Sequence, residues 1–240
     1  MKVVILAGGK GSRISEYTTK IPKPMIKLMN KPIIEHIINF YALYGYKEFI
    51  IAGGYKYKIL LDFIKKNKKL KKLKIKVINT GLNSLTGKRI FKIKKFLDKE
   101  DENFLLTYGD GICNVDLKKM IRFHIKNKSM LTLTAVRPPA RFGELGLKNN
   151  RIVKFEEKPQ MQEGWINGGF FVVNKSFFKY LTNDNLMLER EPINKISKTK
   201  KMFAFRHSGF WKCIDTKRDL EQFENIVKSK KFNLNNFESK

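Results

Sequence analysis

The sequence predicts an α/β fold, a Rossmann-like mixed and mostly parallel central sheet flanked by helices, with a smaller part that covers a substrate. Two observations carry this. Short strand-like apolar runs alternate with helical patterns through the first half of the chain, which is how a parallel sheet with helices on both faces is written. From Ser129 onward the spacing changes to strands separated by closer turns, so the sheet becomes mixed.

In order, a strand is expected over residues 2–7, followed by a glycine-rich turn, a helix over 32–44, a strand over 48–52 and an amphipathic stretch over 56–66. The run 74–79 continues the sheet and a helix covers 87–97. A buried strand over 103–107 ends in Tyr108-Gly109-Asp110-Gly111. Further strands are expected over 131–136, 151–156, 168–173 and 202–207, and a helix over 216–228. With no internal repeat or low-complexity linker, residues 1–240 are expected to form one domain, with halves 1–128 and 129–240.

Bulk properties narrow the function. Apolar residues make up 42% of the chain, ample for one core, and no apolar run approaches the roughly 20 residues that cross a bilayer. Neither a membrane span nor a secretory leader is expected, so the protein is expected to be cytoplasmic. Cys113 and Cys213 lie far apart without metal-ligand spacing and are expected to be reduced thiols. The net charge of +28 raises nucleic acid as a partner. Lysines are spread along the whole chain, however, and the aromatics, Phe104 and Phe170-Phe171 among them, fall inside apolar runs as core residues do. A solvated basic surface that steers anionic substrates is the reading adopted, with no nucleic-acid partner.

The first motif is Leu6-Ala7-Gly8-Gly9-Lys10-Gly11-Ser12-Arg13, directly after the first strand. Ligands of doubly wound sheets sit there, and glycines let backbone N–H groups approach a phosphate while Lys10 and Arg13 supply charge. A dinucleotide fingerprint is not met, since Ile14 stands where its third glycine belongs. A Walker loop is excluded by the spacing of Gly81 to Gly87 and by Arg89 after Lys88. The second motif is Ile21-Pro22-Lys23-Pro24-Met25, where two prolines stiffen the chain around one lysine. Each has a plainer reading as a turn; together they are far more specific.

A start of LAGGKGSR followed by PKPM resembles the sugar nucleotidyltransferase family, which joins a nucleoside triphosphate to a sugar 1-phosphate. Later segments extend the likeness over nearly the whole chain, to about Asp219: Asn79-Thr80-Gly81, Ser84 to Arg89, Thr107 to Gly111, Arg141-Phe142-Gly143, Glu156 to Pro159, Ile166 to Phe171, and Gly209-Phe210-Trp211 through Asp215-Thr216. Within the family these segments most resemble the members that transfer a cytidylyl group from CTP to glucose 1-phosphate. One departure is a chain shorter than usual between about residues 56 and 77.

The resemblance implies attack by a sugar-phosphate oxygen on the α-phosphorus, aided by Mg2+, with pyrophosphate leaving. It assigns the nucleotide to Leu6, Ala7, Gly8, Gly9, Lys10, Gly11, Ser12, Arg13 and Gly109, and gives Arg13, Lys23 and Asp110 the catalytic part, Lys23 on the α-phosphate. Thr80, Gly81, Ser84, Thr86, Gly87 and Arg89 become the candidates for the base. Asp110 and Asp215 would hold the metal, hard oxygen donors for a hard cation. Glu157, Lys158, Asn167 and Gly168 would bind the acceptor in a small sugar-binding subdomain, making residues 1–128 mainly the nucleotide half and 129–240 mainly the acceptor half. A homo-oligomer is left open, and so are UTP or dTTP as donor and another phosphorylated acceptor. A glycosyltransferase loses ground because Asp110 is followed by Gly111-Ile112 and not by a second aspartate. His36, His124 and His207 show no metal or triad spacing and are expected to be helix-surface or core residues.

Overall fold

The computed structural model describes residues 1–138, 144–148, 150–156 and 164–234. Eleven strands and six helices of the described residues position the site. The strands are β1 (Val3–Ala7), β2 (Glu48–Gly53), β3 (Lys74–Asn79), β4 (Asn103–Tyr108), β5 (Gly111–Cys113), β6 (Leu131–Val136), then β7 (Glu144–Lys148) and β8 (Arg151–Glu156), which pair with each other. Three more follow: β9 (Ile166–Asn174), β10 (Met202–Arg206) and β11 (Trp211–Cys213). The main helices are α1 (Ile33–Leu43), α2 (Tyr57–Lys66), α3 (Thr86–Ile93), α4 (Leu117–Lys126), α5 (Glu191–Ser197) and α6 (Lys217–Lys228).

Among the described residues the central sheet has seven strands, in the order β10, β6, β9, β4, β1, β2, β3. β1 runs parallel to β2 and β4, β2 to β3, and β6 to β10, while β9 lies antiparallel to β4 and β6. Thus only β9 runs against the rest. The expected sheet is present, mixed and mostly parallel.

The apolar continuity of β1 follows from its place at the centre. Val3, Ile5 and Ala7 pack with Ile33, Ile37 and Tyr41 of α1 on one face, and Val4 and Leu6 pack with Ile90 and Ile93 of α3 on the other. A strand covered on both faces needs no polar alternation.

Three strands match their expected bounds, at β3, β6 and β8. The helix expected over 87–97 stops at Ile93, and a 3-10 turn, Lys94–Phe96, tightens its end. α4 was not expected: its apolar positions are interrupted by lysines, yet Leu117, Met120 and His124 are buried and Asp116 caps its start. α5 is likewise additional, a short helix with a proline in its first turn. Phe104, Phe170 and Phe171 are core residues. So are His36 and His124, while His207 sets Nε2 against the Phe210 carbonyl. No helix among the described residues is long and apolar enough to cross a membrane.

Candidate functional site

The carboxyl ends of β1 and β4 open onto a cleft, where a mostly parallel sheet places its ligands. After β1 the chain turns through Gly11, whose φ of 67° is left-handed; a Cβ there would lie 2.8 Å from the Thr18 methyl and 3.2 Å from Lys23 Cβ. Glycine at this position lets the loop close over the lysine. Pro22 is extended (φ −70°), and Lys23–Met25 forms a single 3-10 turn that aims the Lys23 side chain inward, where only 9% of the residue is exposed.

Asp110 follows β4, in the turn before β5. Asp215 lies just before α6, whose cap Thr216 and Asp219 satisfy each other reciprocally, and the Asp215 N–H also donates to Asp219 Oδ2 at 3.2 Å. What unites two aspartates so far apart in sequence is the antiparallel pair β5 and β11, in which Gly111 faces Cys213. Ile214 N–H donates to the Asp110 carbonyl at 2.9 Å and closes the pair.

The carboxylates converge on one cation. Lys23 Nζ lies 2.6 Å from Asp110 Oδ2 and 2.5 Å from Asp215 Oδ1, and the largely exposed Arg13 reaches Asp215 Oδ2 at 2.9 Å. Burial pulls the Lys23 pKa down, but Asp110 and then Asp215 outweigh it, so the pKa stands above that of an ordinary lysine. The ammonium marks where a positive charge is stable between the two side chains. Asp110, Asp215 and Cys213 form a group whose donor atoms lie within 4.8 Å of one another. Burial, then the neighbouring carboxylates, push the Cys213 thiol well up, which keeps it protonated. The remaining donors are carboxylate oxygens, the set a hard divalent cation selects.

Two cavities meet here, one of about 330 Å³ on the glycine-loop side and one of about 910 Å³ on the other. Arg13, Tyr108, Asp110 and Asp215 line both. The smaller is bounded by Leu6, Ala7, Gly8, Gly9, Gly11 and Ser12, by Lys23 and Gly109, and across the gap by Ser84, Thr86 and Arg89. Lys10 is exposed and outside this lining.

The base candidates turn out to hold one another. Arg89, 4% exposed, donates to the carbonyls of Gly8, Gly53, Gly81 and Leu82 and to Thr80 Oγ1. A Cβ on Gly8 would stand 2.1 Å from that guanidinium, so the loop rests directly on it. Thr80 is fully buried and donates to the Gly53 carbonyl at 2.6 Å. Ser84 donates to the Thr80 carbonyl at 2.5 Å and Thr86 to Glu189 at 2.7 Å, while buried Gly87 gives its N–H to Leu186.

On the acceptor side, β9 shifts register against β6 between Asn167 and Phe171, a bulge that bends the strand beside the larger cavity. Asn167 Oδ1 accepts the Gly169 N–H at 2.9 Å, and the Gly168 carbonyl accepts Trp211 Nε1–H at 2.7 Å. Asn167, Gly168 and Trp211 all line that cavity. Glu157, Lys158 and the segment Arg141-Phe142-Gly143 lie outside the described residues. Sequence reasoning did not single out several groups at the site. Tyr108 stands between the cavities, and Arg218 and Gln222 line the larger. No local spacing announces them; Tyr108, inside a quoted motif, was the one in reach.

The glucose-1-phosphate cytidylyltransferases of Salmonella typhimurium and Salmonella typhi are each 37% identical to this chain over 246 residues, covering 94% of it and 95% of their own length. A crystal structure of HddC from Yersinia pseudotuberculosis complexed with GMP-PN superposes with a TM-score of 0.73 at 25% identity, covering 93% of this chain and 98% of that one. The nucleotidyl transferase family matches residues 2–230, and the chain belongs to that family.

Proposed function

We propose that the protein transfers a cytidylyl group from CTP to glucose 1-phosphate, giving CDP-glucose and pyrophosphate. One observation carries this: two cavities, one against a glycine loop and one against a polar strand bulge, share a wall made of Arg13, Tyr108, Asp110 and Asp215. Two anionic substrates held on either side would meet at Arg13 and at two carboxylates suited to a divalent cation, with Lys23 beside them in the smaller cavity. The choice of CTP and glucose 1-phosphate is supported by the relatives' names and by the sequence segments above.

In this reading a phosphate oxygen of glucose 1-phosphate attacks the α-phosphorus of CTP in line with the departing pyrophosphate. The bond from the α-phosphorus to its bridging oxygen breaks, and that electron pair leaves with pyrophosphate. The attacking oxygen is already anionic, so no side chain need remove a proton. Positioning and charge neutralisation are what the protein supplies. Lys23 stabilises the charge that develops on the α-phosphate. Arg13, with the N–H groups of the loop Gly8 to Ser12, binds the triphosphate tail. Asn167 and Gly168 hold the sugar, and Glu157 and Lys158 complete that side. Asp110 and Asp215 would hold Mg2+, which neutralises phosphate oxygens when bound.

The test is pyrophosphate release with Mg2+ from CTP, UTP, dTTP, ATP and GTP, each against glucose 1-phosphate and other sugar phosphates. The expected signal is confined to CTP with glucose 1-phosphate. A signal with another pair moves the substrate, and silence throughout overturns the reading.

A further inference from the structure

If the base lies in the smaller cavity, the side chains nearest to it are poor readers of its edge. The hydroxyls of Ser84 and Thr86 already donate within the protein, Arg89 is engaged by backbone carbonyls, and Thr80 is fully buried outside the cavity's lining. Discrimination then falls to the shape and main-chain atoms of the loop over residues 83–87. Such atoms discriminate only if held within a few tenths of an ångström. The loop is half exposed and sits at the start of α3, so something must hold it.

A second segment does so, from about a hundred residues away. Asn185 meets the loop with both ends of its amide: Oδ1 accepts the Leu85 N–H at 2.8 Å and Nδ2 donates to the Asn83 carbonyl at 3.0 Å. The Leu186 carbonyl accepts the Gly87 N–H at 3.0 Å, and the Leu188 N–H donates to Thr86 Oγ1 at 2.8 Å. Glu189 completes the set, taking the Thr86 hydroxyl on one carboxylate oxygen and the Tyr108 hydroxyl on the other. Between these ties Met187 faces the cavity as part of its wall. Each tie lands on the loop or on the shared wall, and the one side chain between them faces the ligand space.

We propose that residues 185–189 are a brace that sets nucleotide specificity, with Asn185 and Glu189 as positioning residues that fix the 83–87 loop and Tyr108 around the base. Neither touches substrate. The proposal rests on the assignment of the nucleotide to this cavity. Its consequence is a specific kinetic pattern: loosening the brace weakens and blurs nucleotide recognition more than it disturbs the acceptor side.

The experiment measures kcat and KM for CTP and UTP at saturating glucose 1-phosphate, and KM for glucose 1-phosphate at saturating CTP, in wild type, Asn185→Ala and Glu189→Gln. Asn185 is exposed, so its truncation leaves the core alone. Glu189→Gln keeps the shape but lets one of the two hydroxyls go unaccepted. The loss of one or two positioning hydrogen bonds is expected to raise KM for CTP about tenfold. The preference for CTP over UTP in kcat/KM should fall several-fold in both variants, with kcat and KM for glucose 1-phosphate changing less than KM for CTP. A merely structural tie would lower the melting temperature without moving the CTP to UTP ratio, and that result overturns the proposal. A wild type that releases pyrophosphate from no triphosphate removes the function itself, which the same assay shows before any variant is compared.

Discussion

Two buried cations line the same cleft and are used in opposite ways. Arg89 gives its guanidinium to four backbone carbonyls from three places in the chain and to one hydroxyl, with no carboxylate among those partners. Lys23 gives its ammonium to two carboxylates, both partly exposed to the cavities. Carbonyls fixed in loops cannot exchange their partner, so Arg89 is part of the frame. Carboxylates at a cavity wall can, so Lys23 and its neighbours are free to change partners when charged ligands arrive. On the proposed function, saturation by fixed neutral groups marks structure in this protein, and sharing between charges at a cavity wall marks chemistry.

The largest effect that would break this contrast is on the frame. Arg89→Ala leaves several carbonyls around Gly8 and Gly53 without their donor, a loss of about 3–5 kcal/mol at roughly 1–3 kcal/mol for each buried acceptor. For a chain of this size that corresponds to a fall of roughly 10 °C in Tm. Thermal unfolding followed by circular dichroism checks it. A normal Tm with lost activity would place Arg89 with the chemistry after all.

Next in size is the carboxylate pair. Asp110→Asn preserves shape and removes the charge, so turnover is expected to fall about a hundredfold to a thousandfold with the fold intact. Steady-state rates beside an unfolding curve separate the two quantities. Near-wild-type turnover would remove Asp110 from the reaction.

How far this division was legible in the sequence differs between frame and site. The strands β3, β6 and β8 could be bounded from their runs because apolar and β-branched residues change abruptly at their ends. α4 was hidden because Lys118, Lys119 and Arg122 dilute an apolar face that only packing against the sheet makes meaningful. At the site, Asp110 and Asp215 came from matched segments, and no spacing could join residues so far apart. The pairing of β5 with β11 does that. Arg89 looked like any base-contacting arginine, because its partners come from Gly8, Gly53 and Gly81, separate turns that only the fold assembles. Asn185 and Glu189 sit in no recognisable motif, and their partners too are supplied by the tertiary structure.

A third buried polar group sharpens the rule away from the cleft. The His124 ring bonds Thr132 Oγ1 at 2.9 Å and Asn103 Oδ1 at 3.2 Å, and burial lowers its pKa to about 4, against a weaker pull upward from Glu102. The unfolded chain protonates near 6.5 and the folded one only near 4, so this contribution is complete above pH 6.5 and is lost as pH falls toward 4. The full loss is about 3 kcal/mol at the conversion of 1.36 kcal/mol per pKa unit. His124→Gln should flatten the decline of stability between pH 7 and 4.5, measured by urea unfolding, and leave turnover at neutral pH close to wild type. A variant with the same acid sensitivity would assign it to other groups.

The smallest effect probes the exchange of partners directly. With Lys23 in place, the carboxylates of Asp110 and Asp215 already share a cation, so a divalent ion added without nucleotide must displace it. In Lys23→Ala the two like charges face each other with only the largely exposed Arg13, on Asp215, to offset them, and cation binding to the folded state relieves that repulsion. Mg2+ should therefore raise the Tm of Lys23→Ala by a few degrees, the stabilisation of about 1–3 kcal/mol that a ligand at ten to a hundred times its Kd provides, and raise that of the wild type by less. The same variant should lose turnover more than triphosphate affinity if, as proposed, the Lys23 ammonium acts on charge that appears in the transition state. Equal Mg2+ responses in the two proteins would mean that the lysine and the metal do not compete for these carboxylates. Lys23 would then belong with Arg89, as a buried cation whose work is finished once the chain has folded.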